Sequence, residues 1–373
     1  MKKFTITILA LLILTNFMFS QSLSSPHANE SDFSWRVLEK ADAAFVAKNY
    51  SRAAKLVQIA KINRKKESQW YVDTLQQALK PLPVQNAGDN IDVVKKILIE
   101  RNSMEAVKVI NDVITSKGIS YFNNSIQSIL DYYQNFYIYP EANFLEAKIY
   151  RLEGEFDLAK QFYLEAWKNS DKLDIPMQKY DILYELASLY KIQNNLADYE
   201  KTLLLIVSDD ENFYKDGKQS GFLTSIIKNI NSGIDLDKFF LLYRCDSYNS
   251  INAYFQLAQL YLEKNMKEKL LEVSIMGMLT SVTRIEQILK ERELEYTYKN
   301  FNHFYYLATQ YSDIIAWGIE NKIWQGFFNF GQALELNEFI ELAKDVYTQN
   351  VIYSPEEHWQ KTSREKLKRL AEE

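Results

Sequence analysis

The chain has 373 residues, 47% hydrophobic and 25% charged, enough apolar material for two ordinary domains or one repeat array. Only 10 Gly and 6 Pro are present, too few for an all-β fold built on tight turns. An excess of 49 acidic over 44 basic residues argues against non-specific nucleic-acid binding.

Lys2 and Lys3 precede a mostly apolar run from Phe4 to Phe19, and Ser20, Ser22 and Ser24 follow it. That is the pattern of a secretory signal peptide, read as residues 1–22, with cleavage between Ser20 and Ser25. The run is short for a membrane span, which needs about 20 residues, and no later segment reaches that length without charges. No Cys follows the run for lipid attachment, since Cys245 is the sole cysteine of the chain. The expected location is therefore periplasmic or secreted. Removing the signal takes two cations and no acid, leaving 42 basic against 49 acidic residues and a net charge of −7. Cys245 ends an apolar stretch and reads as a buried, inert thiol.

Helical periodicity then takes over. In an N-terminal helical segment, residues 31–79, Ala41, Ala44, Tyr50, Ala53, Val57 and Ala60 fall on helical faces around a Lys48-Asn49 turn. Lys61, Arg64, Lys65 and Lys66 read as a solvated helix end. Residues 80–90, with two prolines and a glycine, read as a linker to a main array spanning 91–353. There Ile91 to Val113 reads as a divergent helix pair. The clearest window is Pro140 to Ser170. Ala147 and Tyr150 precede Gly154 in a turn, and Phe156, Ala159, Tyr163 and Ala166 follow. Small residues on both helices allow close approach, Tyr150 and Tyr163 fill the flanking space, and Gly154 ends the first helix.

This window resembles the tetratricopeptide repeat (TPR), a helix-turn-helix unit of about 34 residues. The resemblance implies an all-α fold, an α-solenoid of TPR-like repeats, here with irregular spacing. Weaker copies follow. One has Leu183, Leu186, Ala187, Tyr190, an Asn194-Asn195 turn and Leu203, with Tyr199 where a small residue is expected, so that pair should sit further apart. Another has Tyr254, Leu257, Ala258, Tyr261, Asn265 and Leu270; the last has Phe327, Gly331, Leu334, Ile340, Ala343 and Tyr347. Stretches 208–221 and 231–238 read as loops. Ser354-Pro355-Glu356-Glu357 reads as a helix start, opening a polar capping helix over 354–373.

Chemistry is scarce. His27, His303 and His358 lack a second His or Cys at ligand spacing, and no phosphate loop or nucleophile motif occurs, so no catalytic residue, metal or cofactor is expected. The repeat resemblance implies instead a protein that recognises a protein or peptide partner, as an adaptor or scaffold of the cell envelope. The first helices of the repeats would line the concave face, placing Phe144, Lys148, Arg151, Tyr184, Lys191, Phe255 and Phe328 there as binding residues. Aromatic anchors beside cations suit a peptide or an acidic, partly apolar ligand. A carrier of an apolar small molecule, working with a transporter, is the alternative, and self-association stays open.

Overall fold

The computed structural model describes residues 25–80, 88–215, 217–232, 237–243, 245, 248–293 and 295–372. The expected signal peptide and residues 81–87 of the expected linker lie outside these. The chain divides into two compact units, residues 1–179 and 180–373. The first contains helices α1 (Ser34–Val46), α2 (Tyr50–Leu79), α3 (Ile91–Glu100), α4 (Met104–Lys117), α5 (Ile126–Gln134), α6 (Pro140–Glu153) and α7 (Phe156–Lys168). Helix α8 (Gln178–Ile192) starts at the boundary and α9 (Leu196–Val207) follows. A two-strand hairpin, β1 (Tyr214–Lys215) with β2 (Lys218–Gln219), lies inside the expected loop 208–221. Then come α10 (Gly221–Asn231), α11 (Asp237–Leu242), α12 (Ile251–Glu263), α13 (Lys267–Arg292), α14 (Phe301–Ala308), α15 (Ser312–Glu320), α16 (Ile323–Leu336), α17 (Ile340–Tyr353) and α18 (Glu357–Glu372). The fold is all-α apart from that hairpin.

Six helix pairs close with one and the same backbone turn: α1/α2, α3/α4, α6/α7, α8/α9, α12/α13 and α16/α17. Each has a left-handed residue two positions before the second helix: Lys48, Asn102, Gly154, Asn194, Asn265 and Glu338, with φ between 53° and 83°. In each, the next amide reaches back to a carbonyl inside the first helix. The bonds run Asn49 to Ala44, Ser103 to Leu98, Glu155 to Tyr150, Asn195 to Tyr190, Met266 to Tyr261 and Phe339 to Leu334, all 2.8–2.9 Å. This Schellman closure satisfies the last carbonyls of the first helix and reverses the chain at once. Gly or Asn fills four of the six positions because both tolerate the left-handed region. Lys48 and Glu338 do not. Glu338→Gly is accordingly expected to raise stability by about 1 kcal/mol, read as a higher urea midpoint. An unchanged or lower midpoint would mean the turn carries no strain.

In the α6/α7 pair Ala147 and Ala159 are fully buried, and the Tyr150 ring stacks on Phe162 at 5.5 Å. Helix α9, with Tyr199 where a small residue was expected, packs against α12. There the Tyr199 hydroxyl donates to Gln256 Oε1 at 2.9 Å.

In the first unit, packing joins residues on the two sides of the expected linker at 80–90. Helix α2 does not end at Lys61–Lys66 but runs 30 residues, and its buried stripe joins two clusters. Ala53, Val57 and Ala60 pack with Val37 and Ala41 of α1 and Ala142, Leu145 and Ile149 of α6. Further along, Val72 and Leu75 pack with Ile91, Val94 and Leu98 of α3, Ile110 of α4 and Ile129 and Tyr133 of α5. Residues 31–79 therefore share one unit with the helices that follow them.

In the second unit α13 is the central helix, buried on nearly every side from Leu270 to Val282 and packed against α12 and α16. Helix α18 begins at Glu357, two residues later than the Ser-Pro start implied: Ser354 Oγ accepts only from the Glu356 amide, and the first helical bond runs from the Gln360 amide to the Glu356 carbonyl at 3.2 Å. It packs on α16 and α17 through Ser363 and Leu370, and Lys366 and Arg369 both bind Glu335. Cys245, expected to be buried, is half-buried. Among the described residues no helix is long and apolar enough to cross a membrane.

Candidate functional site

The seven expected binding residues fall into separate packing environments. Phe144 is 5% exposed and packs on Tyr163, ring centroids 6.0 Å apart. Lys148 lies 4.9 Å over Phe144 and 5.0 Å over Phe45, with Asp42 at 3.9 Å. Arg151, one turn on, is also engaged by neighbouring groups. Phe255, 7% exposed, fits against Gly277 and Gly326, where no side chain occupies the space its ring fills. Phe328, 4% exposed, lies between Tyr347 and Trp359. The Tyr184 hydroxyl donates to the Asn249 carbonyl and accepts from the Ala253 amide at 3.0 Å, while Lys191 sits 5.5 Å over Tyr199. The structure thus brings Phe144, Lys148 and Arg151 along one helix, and the aromatic rings of the set act as fillers between helices.

Glu141, on the same helix, has its carboxyl held above the ordinary value of 4.5 because burial strips its water. The Asp174 amide at 2.7 Å opposes the rise, and Glu141 Oε2 is buried without a hydrogen-bond partner. A carboxyl that binds its proton more tightly folded than unfolded favours the fold at low pH. That contribution is lost as pH climbs through the folded value. Glu141→Gln is therefore expected to flatten the fall in stability as pH rises above 4.5. Parallel pH profiles of melting temperature for the two proteins would contradict this.

A different set of residues converges on one pocket of the first unit. The inner stripe of α2 continues past Ala60 as Asn63, Arg64, Glu67 and Ser68, all buried. Ser68 Oγ donates to the Tyr133 carbonyl at 2.6 Å, tying α2 to the end of α5. Arg64 Nε donates to the Phe136 carbonyl at 3.0 Å. Its guanidinium carbon lies 3.4 Å from the Phe136 ring centre and 4.6 Å from that of Tyr139. Beside it opens a cavity of about 240 Å³ lined by Arg64, Tyr121, Phe122, Ser128, Tyr132, Asn135, Phe136 and Ile138, with Asp131, Asp171 and Lys172 at its rim. Aromatic walls are braced by ring contacts, Phe122 edge-on to Tyr132 at 5.6 Å and Tyr132 tilted against Phe136 at 5.7 Å. Burial raises the Tyr71 and Tyr132 hydroxyls to about 12, so both stay protonated at neutral pH.

Sequence reading missed this pocket because Arg64 sat in a basic run. The available signal was register: Val57, Ala60, Arg64, Glu67 and Tyr71 continue one stripe at helical spacing, while Lys65 and Lys66 point to solvent. In the second unit a cavity of about 400 Å³ lies beside the β-hairpin, lined mainly by Leu204, Phe213, Tyr214, Tyr261 and Val273. Glu272 closes one side, accepting from Tyr214 at 3.2 Å and from Gln219 at 3.0 Å.

No family model matches the chain. It is 24% identical over 313 residues to a protein of Treponema pallidum (strain Nichols) described as uncharacterized, covering 84% of each. With a protein of Borreliella burgdorferi described the same way it shares 25% identity over 217 residues, 52% of this chain and 66% of the relative. Among solved structures, the TPR domain of P58(IPK) aligns over 98% of this chain and 97% of its own, at 12% identity and a TM-score of 0.19. A score that low carries no argument, and the fold assignment rests on the six helix pairs themselves.

Proposed function

We propose that the chain is a non-catalytic, exported TPR-like protein that holds a protein or peptide partner as an adaptor or scaffold in the cell envelope. The observation that carries this reading is the Arg64 pocket: a preformed recess with rigid aromatic walls and a cation inside it, between stacked helix pairs. Rigid aromatics around a charge are the composition of binding hot spots. Export rests on the positive, apolar and small-residue pattern of the first 22 residues, and N-terminal sequencing of the processed chain should begin between positions 20 and 25.

The partner reading is tested by placing a photo-crosslinking residue at exposed Tyr121 and, as control, at exposed Ile62 of α2. Crosslinking in intact cells should give one discrete protein adduct from position 121 and none from position 62. Equal adducts from both, or none from either, would remove the adaptor reading. Phe144→Ala and Phe255→Ala test folding instead, because both rings are buried.

The apolar cavity beside the β-hairpin favours one second reading, carriage of a small apolar molecule. Native mass spectrometry of the gently purified chain should then show a co-purified ligand, displaced in a Val273→Trp variant that fills the space. A ligand-free spectrum would leave the adaptor reading alone.

A further inference from the structure

We infer that the Arg64 pocket binds a carboxylate carried on a small apolar or aromatic body. The inference deepens the adaptor reading and rests on this pocket being its recognition site. Arg64 is only 6% exposed and makes no direct ion pair among the described residues, although the buried Glu141 carboxyl acts on it electrostatically from further away. Its one hydrogen bond uses Nε. A guanidinium carries five N–H donors and cannot lose its charge. Buried arginines are ordinarily paired, since an unpaired buried charge costs several kcal/mol. Two aromatic faces and the more distant Glu141 offset part of that cost and still leave the forked end of the group without a direct anionic partner.

The cavity beside it supplies the rest of the specification. About 240 Å³ holds one side chain or a small acid, not a lipid chain. Tyr121, Phe122, Tyr132 and Phe136 give it flat ring faces within a mixed lining, suited to a ring or branched body. Asp131 and Asp171 stand exposed at the rim with Lys172. They would repel a dianion such as phosphate more than a carboxylate, whose single charge can be taken bidentately by a guanidinium. The carboxylate has two sources, a Glu or Asp side chain in a partner segment or a free organic acid.

Calorimetric titration of the signal-free chain with phenylacetate tests the chemistry, with the neutral isostere phenylacetamide and inorganic phosphate as comparisons. Phenylacetate should bind at least about tenfold more tightly than the amide, the gain of a charge-assisted pair. Arg64→Gln should remove that difference, and Arg64→Lys should retain part of it. Ser128→Phe, which fills the cavity from α5 while leaving the Arg64 side chain unchanged, should abolish binding in a chain with unchanged helicity, so misfolding of the Arg64 variants leaves the test intact. Equal affinity for acid and amide, or tighter binding of phosphate, overturns the inference. The blocked peptide Ac-Ala-Phe-Glu-Ala-NH2 separates the two sources: binding at least as tight as phenylacetate places the carboxylate on a partner segment, and weaker binding on a free acid. If the Tyr121 crosslink forms yet no carboxylate binds, the adaptor reading survives and this inference falls. If carboxylate binds and no protein crosslinks, the reverse holds.

Discussion

Phe255→Ala is expected to destabilise the second unit by about 3–5 kcal/mol, the cost of emptying a well-packed aromatic site. The ring is held in a slot made by two glycines on different helices, Gly277 of α13 and Gly326 of α16. A methyl group at Gly326 would stand 2.3 Å from its ring carbons, and one at Gly277 would stand 2.9 Å away. Because the slot is closed on both sides, the ring cannot retreat from either. Gly326→Ala is therefore expected to be destabilising by about 1–3 kcal/mol or more from overpacking, although alanine is the better helix former. The two substitutions should also compensate each other, since the methyl enters space the ring has left. A double-mutant cycle in urea should give a coupling above about 1 kcal/mol. Additive losses, or a Phe255→Ala variant within about 1 kcal/mol of the parent chain, would mean the slot is loose and Phe255 is free to turn outward.

That slot also explains which part of the chain could be read in advance. Helix pairing was legible because it depends on local chemistry: a left-handed turn residue, commonly Gly or Asn, followed by a new apolar stripe. Gly154, Asn194 and Asn265 announce their turns, and even the divergent pair from Ile91 to Val113 closes on Asn102 in the same way. The facing of side chains was less legible. A repeat pattern places Phe255 and Phe328 on the first helix of a pair, but whether such a ring is open or filled depends on distant residues, Gly326 for one and Trp359 for the other. Helix length was misread for a similar reason. Lys61, Arg64, Lys65 and Lys66 look like a helix end only until Lys61 is seen bound to Glu146 and Arg64 capped by Phe136, partners 85 and 72 residues away. The candidate pocket draws on α2, the turn before α5, α5 itself, the segment after it and the turn after α7. Only the aromatic richness of those segments was available beforehand.

Glu67→Ala is the second large expected effect, about 3–5 kcal/mol, and it tests the polar half of the α2 stripe. The carboxylate is 2% exposed and accepts three hydrogen bonds: from the Ser34 amide and hydroxyl, both at 2.6 Å, and from His27 Nε2 at 2.9 Å. Ser34 opens α1, so Glu67 serves as the cap of that helix from 33 residues away, placing negative charge where the helix dipole favours it. Asn63, one turn earlier, holds the Asp32 carbonyl at 2.7 Å. Truncation would leave the Ser34 amide, its hydroxyl and the His27 ring without an acceptor, and unpaired buried groups cost more than the bonds themselves return. Glu67→Gln should lose less, because one oxygen survives, but its amide would confront the Ser34 donors. Urea unfolding gives the total. Hydrogen exchange separates the mechanisms: loss of protection confined to residues 25–46 means the cap alone has released, whereas loss along α2 means the whole stripe, and with it the seat of Arg64, has loosened. A Glu67→Ala chain within about 1 kcal/mol of the parent would show that water replaces the carboxylate and that the N-terminal segment is held by packing.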